Sequence, residues 1–171
     1  MTYTDAKVHV WRTSEIAPLY TLNVGPAYAS GAFLVPGDET LVTTDHNGDI
    51  RAWDLRTGGA GNRFQTGSPI VAAAISPDGK YLLACHDNWA SLHNLGNGVV
   101  VRRFYHAITS NFDGYQNAAF SADGSQILTS TIKSIRLWST WGGFSELKIS
   151  QIGHYINPRW RRNSKGGCYR E

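Results

Sequence analysis

Ile50-Arg51-Ala52-Trp53-Asp54 is the stretch whose reading decides the fold. Three other segments share its pattern: Val8-His9-Val10-Trp11, Ala90-Ser91-Leu92-His93-Asn94 and Ile135-Arg136-Leu137-Trp138. Their last rings fall at 11, 53, 93 and 138, spaced 42, 40 and 45 residues apart. A second landmark precedes the last three: Val35-Pro36-Gly37-Asp38, Ser76-Pro77-Asp78-Gly79 and Ser121-Ala122-Asp123-Gly124, spaced 41 and 45. Two landmarks holding one register mark an internal repeat, and a repeat is the first thing to establish about a chain.

Between the landmarks, short apolar runs alternate with turn residues. Ala118-Ala119-Phe120 reads as a strand, Ala122-Asp123-Gly124 as a turn and Ile127-Leu128-Thr129 as the next strand. Ile135 to Trp138 gives a third strand, and Phe144 to Ile152 a fourth. Strands this short, with turn signals every 8–12 residues or so, indicate an all-β chain. Composition agrees. The 171 residues include 18 Gly, 6 Trp and 8 Tyr, with 42% hydrophobic and 17% charged residues. That balance excludes a disordered chain and a coiled coil.

A repeat of about 40–45 residues with four strands and a closing Trp-Asp resembles the WD-repeat β-propeller family. The resemblance covers about Asp5 to His154 and implies a partial propeller of about 3–3.5 antiparallel blades, a ring that one chain does not close. The domains expected are a propeller segment, 1–154, and a basic tail, 155–171, expected to be irregular. The blades would run over 1–24 (partial), 25–66, 67–106 and 107–152. Trp-Asp itself survives only at Trp53-Asp54. The family's turn Asp, six positions before the Trp, is here Asp5, Asn47, Asp87 and Ile132. The resemblance thus makes Asp5, Trp11, Asn47, Trp53, Asp54, Asp87, His93 and Trp138 structural repeat positions.

The count gives fourteen strands, opening on a third-and-fourth pair around Lys7 to Trp11 and Ile16 to Leu22. Two chains would supply the 28 strands of a seven-bladed ring. Homodimer closure is nevertheless disfavoured, because the first strand it needs would read Arg161-Arg162-Asn163, close to Pro158. Buried unpaired charge is costly. A fragment or truncated form of a larger propeller, or an open array, is the preferred reading.

No catalytic motif stands out: there is no Gly-x-Ser-x-Gly, Gly-x-x-x-x-Gly-Lys or His-Glu-x-x-His. His46 and His86 fall in equivalent turns, beside Asp45 and Asp87, and read as groups bonding their own loops. His93 and Cys85 read as packing residues. No enzyme activity, cofactor or metal is expected. The resemblance implies a protein–protein scaffold, a subunit of a multiprotein complex, with partners on the fourth-to-first loops and second-to-third turns. On that face Trp89, Arg103, Phe112 and Tyr115 are the partner-binding candidates, since projecting aromatics and arginines make interface hot spots. Trp141 belongs on the opposite side.

The chain carries a net charge of +3. Residues 1–153 hold 11 basic and 12 acidic side chains, and residues 154–171 hold five basic and one acidic. The basic character therefore rests on the tail, whose Arg159, Trp160, Arg161 and Arg162 support an alternative, an RNA- or DNA-associated protein. The scaffold reading is preferred because the tail is the segment least like the repeat. Two cysteines make no disulfide framework, and no signal peptide or membrane span is visible, so cytoplasm or nucleus is expected.

Overall fold

The computed structural model describes residues 2–4, 7–37, 39–105, 114–132, 134–142, 147–150, 160–162 and 168–170, with side chains between residues 7 and 142. Asp5 and Phe112 lie outside the described residues. The described residues are all-β, with no helix, and form four antiparallel sheets and one hairpin.

The first sheet has three strands, β1 (Thr2–Thr4), β2 (Lys7–Val10) and β3 (Tyr20–Asn23). The chain was expected to open on two strands; pairing of Thr2 with His9 adds a third. The second sheet is β4 (Ala29–Leu34), β5 (Thr40–Asp45), β6 (Asp49–Asp54) and β7 (Ala60–Gln65). The third is β8 (Ala72–Ile75), β9 (Tyr81–Cys85), β10 (Ala90–Asn94) and β11 (Val100–Phe104). The fourth is β12 (Tyr115–Phe120), β13 (Gln126–Thr131), β14 (Ser134–Ser139) and β15 (Leu147–Ser150). In each four-stranded sheet, spatial order follows chain order, and none of the sheets closes on itself into a barrel. Within the tail expected to be irregular, β16 (Trp160–Arg162) pairs with β17 (Cys168–Arg170).

The turns explain the strand ends. At Ser76-Pro77-Asp78-Gly79, the Ser76 hydroxyl donates to Asp78 Oδ1 (2.6 Å) and accepts from the Tyr81 N–H (2.9 Å). The Gly79 N–H donates to the Ser76 carbonyl (2.9 Å), and Gly79 sits at φ +71°, where a side chain would be strained. Ser121-Ala122-Asp123-Gly124 repeats these bonds at 2.6, 2.9 and 2.9 Å. Side-chain bonds that satisfy turn donors are why Ser and Asp recur there. They also hold the Asp78 carboxyl below its usual range and pull Asp123 down to about 2, the serine hydroxyl being the main cause in both.

Among the described residues the core lies in three layers between successive sheets. Val8, Val10, Leu22, Leu41 and Trp53 fill the first layer. Val42, Ile50, Ile70, Leu82 and Ala84 fill the second. Leu83, Cys85, Leu92, Phe104 and Ile127 fill the third. Side chains alternate between the faces of a strand. In β9, Leu82 and Ala84 therefore face the second sheet, while Leu83 and Cys85 face the fourth, and all four are fully buried. That is why this strand reads as an unbroken apolar run. Neighbouring sheets also touch through their first strands, β4 with β8 and β8 with β12.

Candidate functional site

The first residues of β4, β8 and β12 lie at the same end of the sheets as the β5–β6, β9–β10 and β13–β14 turns. Hydrogen bonds tie this end together. The His46 N–H donates to the Tyr28 carbonyl (3.1 Å), the Thr66 N–H to Gly48 (2.9 Å) and the Val71 N–H to Cys85 (2.9 Å). Arg136, buried, donates to the Tyr105 carbonyl (3.2 Å).

Within the β5–β6 turn, the organising carboxylate is Asp45, not position 47. Asp45 is buried, and its Oδ1 accepts from the N–H groups of Asn47 and Asp49, both at 2.9 Å. Asn47 is exposed and contributes its backbone N–H. Strand register places Asp45, His86 and Thr131 at one equivalent position, each two residues beyond the partner of a third-strand residue. His46 and His86 therefore share a turn but not a place in it: His46 is exposed and His86 is buried. Asp87 is exposed in the β9–β10 turn.

His86 supports the surface above it. Its ring stacks on Trp89 with centroids 4.0 Å apart and 30° between planes. The Arg103 guanidinium lies 5.1 Å from the Trp89 ring centroid. Strand pairing supplies Arg103, which sits opposite Ser91 across β10 and β11. Trp89 is half-buried and Arg103 exposed, so two of the four partner-binding candidates stand together at the surface.

Tyr115 does not join them. It is 2% exposed and its hydroxyl donates to the Phe104 carbonyl (3.1 Å). The register shift between Tyr115 and Asn117, at the start of β12, coincides with this inward placement and puts the ring in the third core layer. Sequence reasoning missed three exposed apolar side chains at this end: Tyr28, Tyr105 and Ile132. Their signal was position alone, beside a repeat strand or in a repeat turn. Trp141, 56% exposed, packs edge-on against Tyr81 at 4.7 Å, at the opposite end.

Beneath Trp89 runs a line of buried polar groups. His86 Nδ1 lies 2.8 Å from the Pro69 carbonyl oxygen, and His86 Nε2 3.1 Å from Ser91 Oγ. Ser91 Oγ lies 2.8 Å from His93 Nε2, whose Nδ1 is 3.3 Å from the Gly98 carbonyl oxygen. Burial lowers both histidines from their ordinary range. His93 takes the place held by tryptophan in the sister sheets. There Trp53 and Trp138 donate from Nε1 to Thr43 (2.9 Å) and Thr129 (2.8 Å), each under an arginine, Arg51 or Arg136. The third sheet has Ala84 in the threonine's place and Ser91 in the arginine's. Trp11, the first repeat ring, is 40% exposed. Asp54 accepts from the Arg56 N–H (2.8 Å), which helps to lower its pKa.

At the opposite end, a cleft of about 540 Å³ opens between the second and third sheets, lined by Val35, Glu39, Trp53, Arg56, Phe64 and Leu95 among others. Burial pushes the Cys85 thiol up to about 12, which keeps it protonated and poorly nucleophilic. Among the described residues no group of three His, Cys, Asp or Glu side chains could hold a metal ion, and no helix is long and apolar enough to cross a membrane. No known family model matches the chain, and no curated protein matches it either.

Proposed function

We propose that the chain is a protein-binding scaffold of the WD-repeat type, with its sheets as propeller blades and partners held at the end that carries Trp89. The supporting observation is the Arg103–Trp89–His86 stack. A tryptophan fixed on one face by a buried imidazole and topped by an exposed guanidinium presents a pre-ordered aromatic and a cation. Aromatic and arginine anchors held in place before binding are the groups that carry interface energy. Exposed Tyr28, Tyr105 and Ile132 extend the apolar character of the same end. In this reading the sheets do no chemistry; they hold loops in register.

Affinity capture with the full chain tests this. Proteins recovered by the unmodified chain are compared with those recovered by Trp89→Ala, Arg103→Ala and, as a control at the other end, Trp141→Ala. Loss of the same proteins from the first two variants, with retention by the third, is expected. An identical set from all four chains would rule out this end as the partner surface.

A further inference from the structure

The line from Pro69 to Gly98 has a shortage of hydrogens. Its two ends are backbone carbonyls, which only accept. A neutral imidazole carries one N–H and a serine one O–H. Three hydrogens are therefore shared among four contacts: Pro69 O with His86 Nδ1, His86 Nε2 with Ser91 Oγ, Ser91 Oγ with His93 Nε2, and His93 Nδ1 with Gly98 O. One contact must pair two lone pairs.

The distances say which. Three contacts, at 2.8, 3.1 and 2.8 Å, lie in the ordinary hydrogen-bond range, whereas His93 Nδ1 to Gly98 O, at 3.3 Å, is the longest. The arrangement that serves the three shorter contacts is unique. His86 donates from Nδ1 to Pro69, Ser91 donates to His86 Nε2, and His93 donates from Nε2 to Ser91. His93 Nδ1 then faces the Gly98 carbonyl with a lone pair.

We propose that His86, Ser91 and His93 form a buried binding site for one proton, received at Nδ1 of His93. That proton turns the fourth contact into a donor–acceptor pair with Gly98 and leaves the other three unchanged. A second proton has no such place: on His86 Nε2 it would face the hydrogen that Ser91 donates and force that bond to break. Among the described residues the charged neighbours are few. Asp87, in the β9–β10 turn, favours a positive charge at His86, while Arg103, on β11, opposes charge on both rings. From the second sheet the ring facing His93 is Phe64, 5.7 Å away. Arg63, next to Phe64, projects to the other face of β7 and pairs with Asp49 at 2.8 Å. On β9, Cys85 projects into the third core layer, away from the line. The β7–β8 loop contributes the Pro69 carbonyl. Burial works against the added charge, so the proton enters below the ordinary histidine range.

This site lies one ring below Trp89 but does not depend on the partner reading. Nitrogen-detected NMR of the full chain with labelled histidine tests it directly. At neutral pH His86 is expected as the Nδ1–H form and His93 as the Nε2–H form. On acidification His93 becomes doubly protonated while His86 keeps its single proton. In Ser91→Ala, two neutral rings serve two carbonyls, so His93 is expected to switch to the Nδ1–H form. The proposal is overturned by a neutral His93 carrying its proton on Nδ1 in the unmodified protein, by His86 charging first, or by neither ring charging before the protein unfolds. It is also overturned if Ser91→Ala folds and His93 keeps its original tautomer; should that variant not fold, the unmodified spectrum decides alone.

Discussion

Single side chains in the third sheet set how the protein responds to acid. His86 and His93 have folded-state pKa values lowered chiefly by burial. The unfolded chain, with histidines near 6.5, therefore binds more protons than the folded one once the pH falls below that value. Stability is fully present above about 6.5 and is lost as the pH falls through the histidine range. The lowered carboxylates Asp49, Asp54, Asp78 and Asp123 add their own loss only at lower pH, below about 4. A urea midpoint measured at pH 7.5 and again at pH 5.5 isolates the histidines, and a lower midpoint at 5.5 with an unchanged slope is expected. Arg103→Ala is a milder change. It removes a cation from an exposed ring face, so the loss of stability should stay near 0.5–1 kcal/mol, read from the same unfolding curves. His93 was legible as a packing residue because it occupies a repeat ring's place. The inward turn of Tyr115 was not legible, because a register shift inside a strand leaves no mark on residue type. Asn47 was assigned the role that Asp45 plays, since a two-residue difference inside a turn cannot be seen until strand pairing fixes the register.

Turns decide where each strand starts, and two of them can be tested separately. Ser76 uses one hydroxyl to bond the Asp78 carboxylate and to accept the Tyr81 N–H. Ser76 is buried, so Ser76→Ala leaves that donor and acceptor short of a partner and should cost about 1–3 kcal/mol in an unfolding titration. Gly48 differs in cause. Its φ is +83°, and a Cβ there would collide with the Ser68 carbonyl of the next loop and with Thr66 Oγ1. Gly48→Ala combines backbone strain with a clash against main chain, so a loss of at least 1–3 kcal/mol is expected, measured in the same way. Because Gly48 holds the β5–β6 turn against the β7–β8 loop, the variant should also disturb the amide signals of Thr66 and Ser68. The strands and their turns were readable from the repeat, because Ser-Pro-Asp-Gly carries its own hydrogen bonds. Val35-Pro36-Gly37-Asp38 shows the limit of that reading. There a buried valine, which has no hydroxyl, replaces the capping serine, and the Val35 N–H donates to the Thr40 carbonyl at 2.9 Å.

Across the whole molecule, the sheets are unequally sheltered, and the burial patterns predict where the fold is firmest. In β2 only alternate residues are buried, Val8 and Val10, as befits a strand with one covered face. In β9 the last four of five residues are buried in succession, with core layers on both faces. Sheets that contact only their sequence neighbours behave as a chain of coupled units, each stabilised by its adjoining layers. Among the described residues two sheets have two such layers: the second sheet, whose Leu41 and Trp53 face the first layer and Val42 and Ile50 the second, and the third sheet, between the second and third layers. The slowest amide hydrogen exchange is therefore expected in the middle strands of these two sheets, β5, β6, β9 and β10, approaching the global unfolding free energy, and faster exchange in β2 and β3. Leu83→Ala, which opens a cavity in the third layer, should cost about 2–5 kcal/mol. It should accelerate exchange in β9, β10 and β13 more than in β2, because Ile127 on β13 shares that layer and Val8 does not. Uniform acceleration over all four sheets would mean instead that they unfold as one unit, and the neighbour-coupled picture would be wrong.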